Sequence, residues 1–186
     1  LTDENPEVRE LAVSGLWECD DRNLVAPLMA LLKDDPWEHV RAAAAVALGK
    51  FCSLAETGKL LPRDGDHIKD LLFSILENQQ ETVEVRRRAL EAAACFNTQR
   101  IRELIQWAYS GTELKLRISS LYAMGKTGDH TWMDILIAET ESNNPAMQYE
   151  AAGAFAEIGE EEAIPYLIPL LHADDLQVQM AAIKAL

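Results

Sequence analysis

The sequence has 186 residues, of which 48% are hydrophobic, 26% charged and 6% aromatic. This apolar fraction argues against a disordered chain, and seven prolines with nine glycines exclude collagen-like and low-complexity classes. Seventeen basic against 31 acidic side chains give a net charge of −14, so we expect no nucleic acid partner. No apolar run approaches the roughly 18 residues of a membrane span, so we expect no membrane partner either.

The cysteines and the chain ends indicate the setting of the protein. Three cysteines at unrelated spacings predict free thiols in a reducing compartment, and we therefore expect a cytoplasmic protein. Leu1 is not an initiator methionine, and no secretory signal is visible. The chain stops at Leu186 inside an apolar pattern without a helix stop signal. These features predict a piece of a longer chain.

An internal repeat runs along the sequence. Each copy begins with an apolar anchor residue, and the intervals between anchors are 32, 45, 31, 31 and 31 residues. In nearly every copy, apolar residues recur 4, 5, 8 and 11 positions after the anchor, which is the spacing of a helix that faces a core. The six anchors are Val8, Val40, Val85, Leu116, Met147 and Val178.

A second apolar segment follows each of the first five copies, most plainly in residues 25–32 and 164–171. Each copy therefore predicts a helical hairpin. We predict an all-α fold, an α-solenoid of about five and a half hairpins that stack on their neighbours. Twelve positions after the anchor, most copies have a residue that tolerates the left-handed conformation at a helix end. The residues at this position are Asp20, Cys52, Asn97, Gly128 and Gly159, and all but Cys52 tolerate that conformation.

We assign residues 1–186 to a single repeat array. The predicted units cover about residues 3–33, 34–78, 79–111, 112–143 and 144–174, with a partial unit over 175–186. The 45-residue interval holds about 14 extra residues, most of them in 52–65. Gly58, Pro62 and Gly65 interrupt this insertion, so we predict that it forms a protruding loop.

The repeat resembles the short HEAT-like repeat first described in phycocyanobilin lyase (PBS lyase) subunits. The segments that carry the resemblance are Asp35-Pro36, Val40-Arg41, Ala47-Leu48-Gly49, Asn144-Pro145, Ala154-Phe155 and Ile158-Gly159. The resemblance implies a right-handed superhelix, with the Val-Arg helices on its concave side. It also implies an alternative function, that of an accessory, regulatory or lyase subunit acting on a bilin- or cofactor-bearing protein.

An arginine follows the anchor in four copies, as Arg9, Arg41, Arg86 and Arg117, and glutamine replaces it in the last two. Its fixed place predicts a structural role, in which it bonds to aspartates and carbonyls in the turns of adjacent units. A row of ligand-binding arginines is the alternative interpretation. The run Arg86-Arg87-Arg88 indicates either a solvated face or an anion site.

No pattern of catalytic or metal-binding residues stands out. The four histidines lie outside any H-E-x-x-H motif, and no cysteine pair has zinc spacing. Deoxyhypusine hydroxylase, which is built from similar repeats, binds iron through His-Glu dipeptides, and this sequence contains none. The sequence identifies no activating base for a cysteine. We therefore predict that the protein is not an enzyme, and that it has no cofactor and no metal.

The helix positions 2, 3, 6 and 10 residues after each anchor point away from the apolar stripe. Stacking would align them into one ribbon, which we call the predicted recognition face. Aromatic and arginine side chains on such a face are common interface anchors, although Tyr122 and Tyr149 could instead only shield a neighbouring helix. We predict a non-catalytic protein–protein interaction scaffold that binds another protein on this face. The candidate binding residues are Trp37, His39, Arg87, Arg88, Glu91, Ile118, Tyr122, Lys126, Tyr149 and Glu150.

Overall fold

The computed structural model describes residues 1–159 and 161–186. These residues form eleven α-helices and four 3₁₀ turns, and they contain no β-strand. The helices are α1 (Pro6–Ser14), α2 (Val25–Asp34), α3 (Glu38–Glu56), α4 (Pro62–Glu77), α5 (Val83–Ala93), α6 (Gln99–Ser110), α7 (Leu114–Thr127), α8 (Met133–Thr140), α9 (Pro145–Ile158), α10 (Ile164–Leu170) and α11 (Leu176–Ala185). The 3₁₀ turns are Arg22–Leu24, Ala94–Phe96, His130–Trp132 and Glu161–Ala163. The predicted all-α fold is confirmed.

The chain divides into two compact units, an N-terminal unit of Leu1–Leu104 and a C-terminal unit of Ile105–Leu186. In the N-terminal unit, α3 packs between α1 and α5, and α2 and α4 form a second layer beside them. In the C-terminal unit, α9 packs between α7 and α11, and α8 and α10 form the second layer. Each anchor-led segment is a first helix, and first helices stack on first helices. This is the stacking of a helical-repeat solenoid.

The repeated apolar stripe forms the core of both units. The anchors Val40, Val85 and Val178 are fully buried, and Met147 is nearly so. Burying one such side chain stabilises the fold by about 1.5–3 kcal/mol, and a hairpin achieves that burial only against its neighbours. Val8 is the exception at 44% exposed, because α1 packs against a first helix on one side only.

Left-handed residues end three of the first-helix segments, as the sequence predicts. Asn97, Gly128 and Gly159 have φ values of 33°, 61° and 74°. In the first copy α1 ends earlier, at Ser14, so Asp20 lies well beyond the helix and does not have a positive φ.

The prediction of a protruding loop over residues 52–65 is wrong. α3 continues to Glu56 and α4 begins at Pro62, so only residues 57–61 connect the two helices. Cys52 occupies the position where the next three copies have asparagine or glycine, and nothing ends the helix before Gly58, whose φ is +70°. Gly65 lies in α4, where an added Cβ would come within 2.7 Å of the Ala55 Cβ. The extra residues therefore lengthen this hairpin.

The arginine after the anchor joins each first helix to the turns beside it. Arg9 donates to both carboxylate oxygens of Asp35 at 2.8 and 3.0 Å, and to the carbonyl oxygen of Asp3 at 2.7 Å. Arg41 repeats this pattern, with both carboxylate oxygens of Glu81 at 3.0 and 2.8 Å and the carbonyl oxygen of Asp35 at 2.8 Å. Asp35 and Glu81 each lie just before the next first helix. These contacts agree with the predicted structural role.

The other copies retain parts of this arrangement. Arg86 Nε donates to the carbonyl oxygen of Leu76 at 3.2 Å, and Arg117 lies 3.5 Å from the carboxylate of Glu139. Where glutamine replaces arginine, Gln179 still donates to the carbonyl oxygen of Ala173 at 2.7 Å, and Gln148 to that of Thr140 at 3.2 Å. The bond to the preceding turn is therefore kept, while the ion pair to the following turn is lost.

The carboxylates of Asp35 and Glu81 are held in their charged form. Burial alone would raise the pKa of Asp35 and of Glu81, but hydrogen bonds from the arginines and from the amides of Trp37 and Thr82 outweigh it, and both pKa values lie below the ordinary range. A carboxyl group with a lowered folded-state pKa contributes stability above its unfolded pKa, and this contribution is lost as the pH falls.

Small residues set the distance between stacked first helices. A Cβ added to Gly49 in α3 would lie 3.3 Å from both the Cα and the Cβ of Ala92 in α5. A Cβ added to Gly125 in α7 would lie 2.6 Å from the Cα and 2.9 Å from the Cβ of Ala154 in α9. The second contact is with backbone and leaves no space for a side chain.

We expect Arg41→Ala to lower the free energy of unfolding at neutral pH by about 2 kcal/mol, since it leaves the nearly buried Glu81 carboxylate without its cation. Urea denaturation measures this loss. The matched control is Arg100→Ala, because Arg100 pairs with Glu77 and Glu103 on an exposed surface and its loss should change little.

Measuring stability as a function of acidic pH tests the Arg41–Glu81 ion pair through its carboxylate. Between pH 6 and pH 3 we expect the wild type to lose more stability than Glu81→Gln, which has no carboxyl group with a lowered pKa to protonate at that position. Equal losses in the two proteins would contradict the assigned role of Glu81.

Two glycine-to-alanine substitutions should change the stability of the fold in opposite directions. Gly125→Ala forces α7 away from α9, and we expect a loss of about 1–3 kcal/mol of stability. Gly153→Ala is the matched control within α9, where nothing lies within 4 Å of the added Cβ, and we expect a gain of up to about 1 kcal/mol. Thermal denaturation of the two variants compares them directly.

Candidate protein-binding grooves

The N-terminal unit carries a groove along the exposed faces of α1, α3 and α5. It has a volume of about 430 Å³, and we call it the N-terminal groove. Its floor consists of small and apolar side chains, because the helix positions 2, 3 and 6 after the Val40 anchor are Ala42, Ala43 and Val46. Short side chains on this face of α3 leave the space that longer ones would fill. The other lining residues include Glu10, Trp17, Glu38, His39, Lys50, Glu84 and Arg88.

Trp17 is the aromatic side chain of the N-terminal groove. It follows the early end of α1 and is 73% exposed. Lys50 holds this segment against α3, because its ammonium donates to the Trp17 carbonyl oxygen at 2.7 Å and pairs with the Asp20 carboxylate. An indole at a groove edge that is open to solvent has apolar area available for a partner.

The charges around the N-terminal groove leave an acidic rim. Lys50 is neutralised by Asp20, and Arg88 by Glu84. Among the described residues, no ion pair joins a lysine or arginine to Glu10 or Glu38, and the attraction on Glu38 comes from Arg41, which is itself bound to Glu81. The imidazole of His39 lies beside Glu10, with its Nε2 3.8 Å from the Glu10 carboxylate. The groove therefore favours cationic over anionic groups.

Two arginines of α5, Arg87 and Arg88, form an ion-pair cluster with glutamates of the same helix. Arg87 donates to both carboxylate oxygens of Glu84 at 2.7 Å and to Glu91 at 3.1 Å. Arg88 donates to the same two glutamates at 3.3 and 2.9 Å. Two arginines thus face two glutamates at helical i, i+3 and i, i+4 spacings. The cluster is neutral, so it gives no support to an anion site here.

The C-terminal unit carries a second groove, along α7, α9 and α11. Its volume is about 260 Å³, and we call it the C-terminal groove. Tyr122, Tyr149 and Met180 line it and are 38%, 41% and 49% exposed. Lys126 bridges α7 to α9 through Glu157 at 2.8 Å, and its ammonium lies 5.7 Å from the centre of the Tyr122 ring. Lys184 and Glu150 complete a rim with equal numbers of acidic and basic groups.

The candidate binding residues from the sequence divide between the two units. His39 and Arg88 line the N-terminal groove, and four others line the C-terminal groove: Tyr122, Lys126, Tyr149 and Glu150. Trp37 lies beside the first groove without lining it, 52% exposed and with its ring centre 5.8 Å from that of His39. Arg87 and Glu91 belong to the ion-pair cluster, and Ile118 is half-buried outside the C-terminal groove.

Sequence reasoning missed several groove residues. Glu10 lies 2 positions after its anchor, and Met180 and Lys184 lie 2 and 6 positions after theirs, so the rule that found the middle copies also fits the first and last. Trp17 lies outside this rule. Its large side chain at a position that is small in other copies was the available signal, and the early end of α1 turns it to the surface.

Within the described residues, no group of three or more His, Cys, Asp or Glu side chains is arranged to hold a metal ion. None of their helices combines the length and the apolar character needed to cross a membrane.

The family model for HEAT repeats matches residues 1–67 and 133–186. The chain belongs to the HEAT-repeat family. Both matched segments contain first helices with the anchor and the residue after it, which are the positions that hold neighbouring hairpins together. None of the curated proteins matches this HEAT-repeat chain.

Solved structures share the fold of this HEAT-repeat protein at low sequence identity. An engineered protein aligns with a TM-score of 0.59 and 21% identity, covering 100% of this chain and 91% of that one. A designed armadillo repeat protein in complex with the peptide (KR)4 aligns with a TM-score of 0.59 and 17% identity, covering 97% and 89%. Human deoxyhypusine hydroxylase aligns with a TM-score of 0.51 and 17% identity, covering 99% and 80%. These likenesses show a helical-repeat solenoid.

A charge reversal in the cluster of α5 tests whether Arg87 acts within its helix. Arg87→Glu would put three carboxylates together, and we expect it to lower the free energy of unfolding by about 1–2 kcal/mol. Thermal denaturation measures the loss. Lys59→Glu makes the same charge change at an exposed connecting residue and should have little effect. Equal effects of the two substitutions would mean that the cluster contributes no stability.

Proposed function

We propose that this chain is a non-catalytic scaffold that binds other proteins through the two grooves of its first-helix faces. The observation that carries the proposal is that the same kind of groove occurs in both units. In each unit, corresponding helix positions line a groove, and aromatic side chains stay exposed beside it. Exposed aromatic rings next to a concave apolar surface are typical of interaction sites, because a partner gains a large buried area from few residues.

The charge of the chain supports a partner with basic segments. The net charge is −14, and the N-terminal groove adds the two carboxylates of Glu10 and Glu38 beside the exposed indole of Trp17. A lysine or arginine side chain could lie over that ring and meet these carboxylates at the same time. The designed armadillo protein of similar fold binds the alternating basic peptide (KR)4. We therefore propose that the N-terminal groove takes an extended segment rich in lysine and arginine.

The C-terminal groove suits a different part of the partner. Its rim is balanced in charge, and its exposed groups are two tyrosines and a methionine. Side chains of this kind bind apolar residues and offer a polar tip at the edge. The proposed repeat class, the short HEAT-like repeat of the phycocyanobilin-lyase type, is compatible with this use of first-helix faces.

Fluorescence anisotropy with labelled (KR)4 tests the N-terminal groove. We expect binding that weakens with added salt, and no comparable binding of a (DE)4 peptide of the same length. The double substitution Trp17→Ala with Glu38→Lys should raise the dissociation constant about tenfold or more. The matched control is Tyr166→Ala with Glu141→Lys, which removes one exposed aromatic and one exposed acid outside both grooves.

The outcomes separate the parts of the proposal. Equal binding of the two peptides, or equal weakening by the groove and control variants, would reject the basic-segment groove. The scaffold role is tested separately by affinity capture from the native source with the wild type and with Tyr122→Ala/Tyr149→Ala. If both folded proteins capture the same partners equally, then the C-terminal groove is not a binding site.

A further inference from the structure

Two cysteines of the N-terminal unit lie side by side on stacked helices. Cys52 is near the end of α3, and Cys95 is in the 3₁₀ turn that directly continues α5. One helical turn earlier, Gly49 and Ala92 lie in close contact, since a Cβ added to Gly49 would be 3.3 Å from the Cα of Ala92. The same offset of 43 residues relates Cys52 to Cys95. Their thiols are within hydrogen-bonding reach of each other.

The two thiols differ in their access to solvent. Cys52 is fully buried, and burial, reinforced by its hydrogen bond with Cys95, raises the pKa of its thiol. Cys95 is half-buried, and its Sγ lies 3.3 Å from the carbonyl oxygen of Ala92, to which it donates. A small oxidant from solvent therefore reaches the thiol of Cys95 before that of Cys52. The buried Cys52 thiol lies next to Cys95 and is placed to react with it in a second step.

We propose that Cys52 and Cys95 form a redox modification site that closes into a disulfide when a peroxide oxidises Cys95. The Cys95 sulfur attacks one peroxide oxygen, the O–O bond breaks, and the products are a sulfenic acid and water. The Cys52 sulfur then attacks the Cys95 sulfur, the S–O bond breaks, and the hydroxyl leaves as a second water with the Cys52 proton. Overall, two thiols are oxidised by two electrons and one hydrogen peroxide is reduced to two waters.

The position of the pair gives the bond a structural effect. A disulfide requires Cα atoms about 4.4–6.8 Å apart. The contact between Gly49 and Ala92 holds α3 and α5 within that range one helical turn before the cysteines. The bond would close a loop over the 42 residues between the two cysteines and restrict the unfolded chain. It would also fasten α3 to α5, the helices that carry the floor and one wall of the N-terminal groove. The modification would thus stabilise this hairpin pair.

Peroxide treatment followed by denaturation and alkylation tests the site. The reduced protein should show three alkylated cysteines. After hydrogen peroxide, we expect one alkylated cysteine, Cys19, together with a peptide pair that joins Cys52 to Cys95 and a mass lower by two hydrogens. A thiol reductant should restore all three. The melting temperature of the oxidised protein should rise by about 5 °C or more.

Single substitutions identify the order of events. Cys19→Ser should form the same disulfide as the wild type. Cys52→Ser should leave Cys95 as a sulfenic acid that dimedone traps, whereas Cys95→Ser should leave Cys52 unmodified and alkylated after denaturation. Because Cys95 is half-buried, its serine variant keeps the test valid if Cys52→Ser fails to fold. Three alkylated cysteines after treatment, a sulfinic acid at Cys95 beside a free Cys52, or a disulfide that includes Cys19 would each overturn the proposal.

Discussion

Neighbouring hairpins of this chain are held together by the side chain that follows each buried anchor. In its full form, that side chain is an arginine that bonds backward to a carbonyl oxygen and forward to a carboxylate before the next first helix, as Arg9 and Arg41 do. The forward bond is charge-assisted and made through two hydrogen bonds, and the loss of either partner would leave a charge that is largely excluded from water without its counterion. Glutamine at the same place keeps only the backward bond. The apolar core makes the hairpins stack, and these polar links fix where each turn lies.

Most of the fold could be predicted from the sequence, because an apolar stripe of helical period recurring about every 31 residues has few structural solutions. The structural use of Arg9 and Arg41 was also predictable from their constant distance to an anchor. The insertion was not. Glycine and proline within a short segment favour a loop, but Gly65 serves instead as a contact point that lets α4 approach Ala55. Only the tertiary contact distinguishes a glycine that breaks a helix from one that lets two helices pack.

The candidate grooves were predictable in part. Helix periodicity placed Tyr122, Lys126 and Tyr149 on a face that the structure leaves open. It also selected Arg87, whose charge is satisfied by Glu84 and Glu91 of its own helix. The i, i+3 and i, i+4 spacings of those glutamates were visible in the sequence, so a pairing rule would have removed this residue. The position of Trp17 depends on where α1 ends, and a pattern of apolar residues does not determine that.

Asp35 couples two neighbouring hairpins, because its own atoms bond to both of them. Its carboxylate accepts hydrogen bonds from Arg9 of the hairpin before it, and its backbone carbonyl oxygen accepts one from Arg41 of the hairpin after it. Opening the turn at Asp35 would therefore break bonds on both sides. Repeat proteins often open locally, one repeat at a time, at a free energy well below that of global unfolding. A shared residue of this kind makes the opening of one hairpin costly for its neighbour, and amide protons on α1 and α3 would then exchange with solvent in a concerted event.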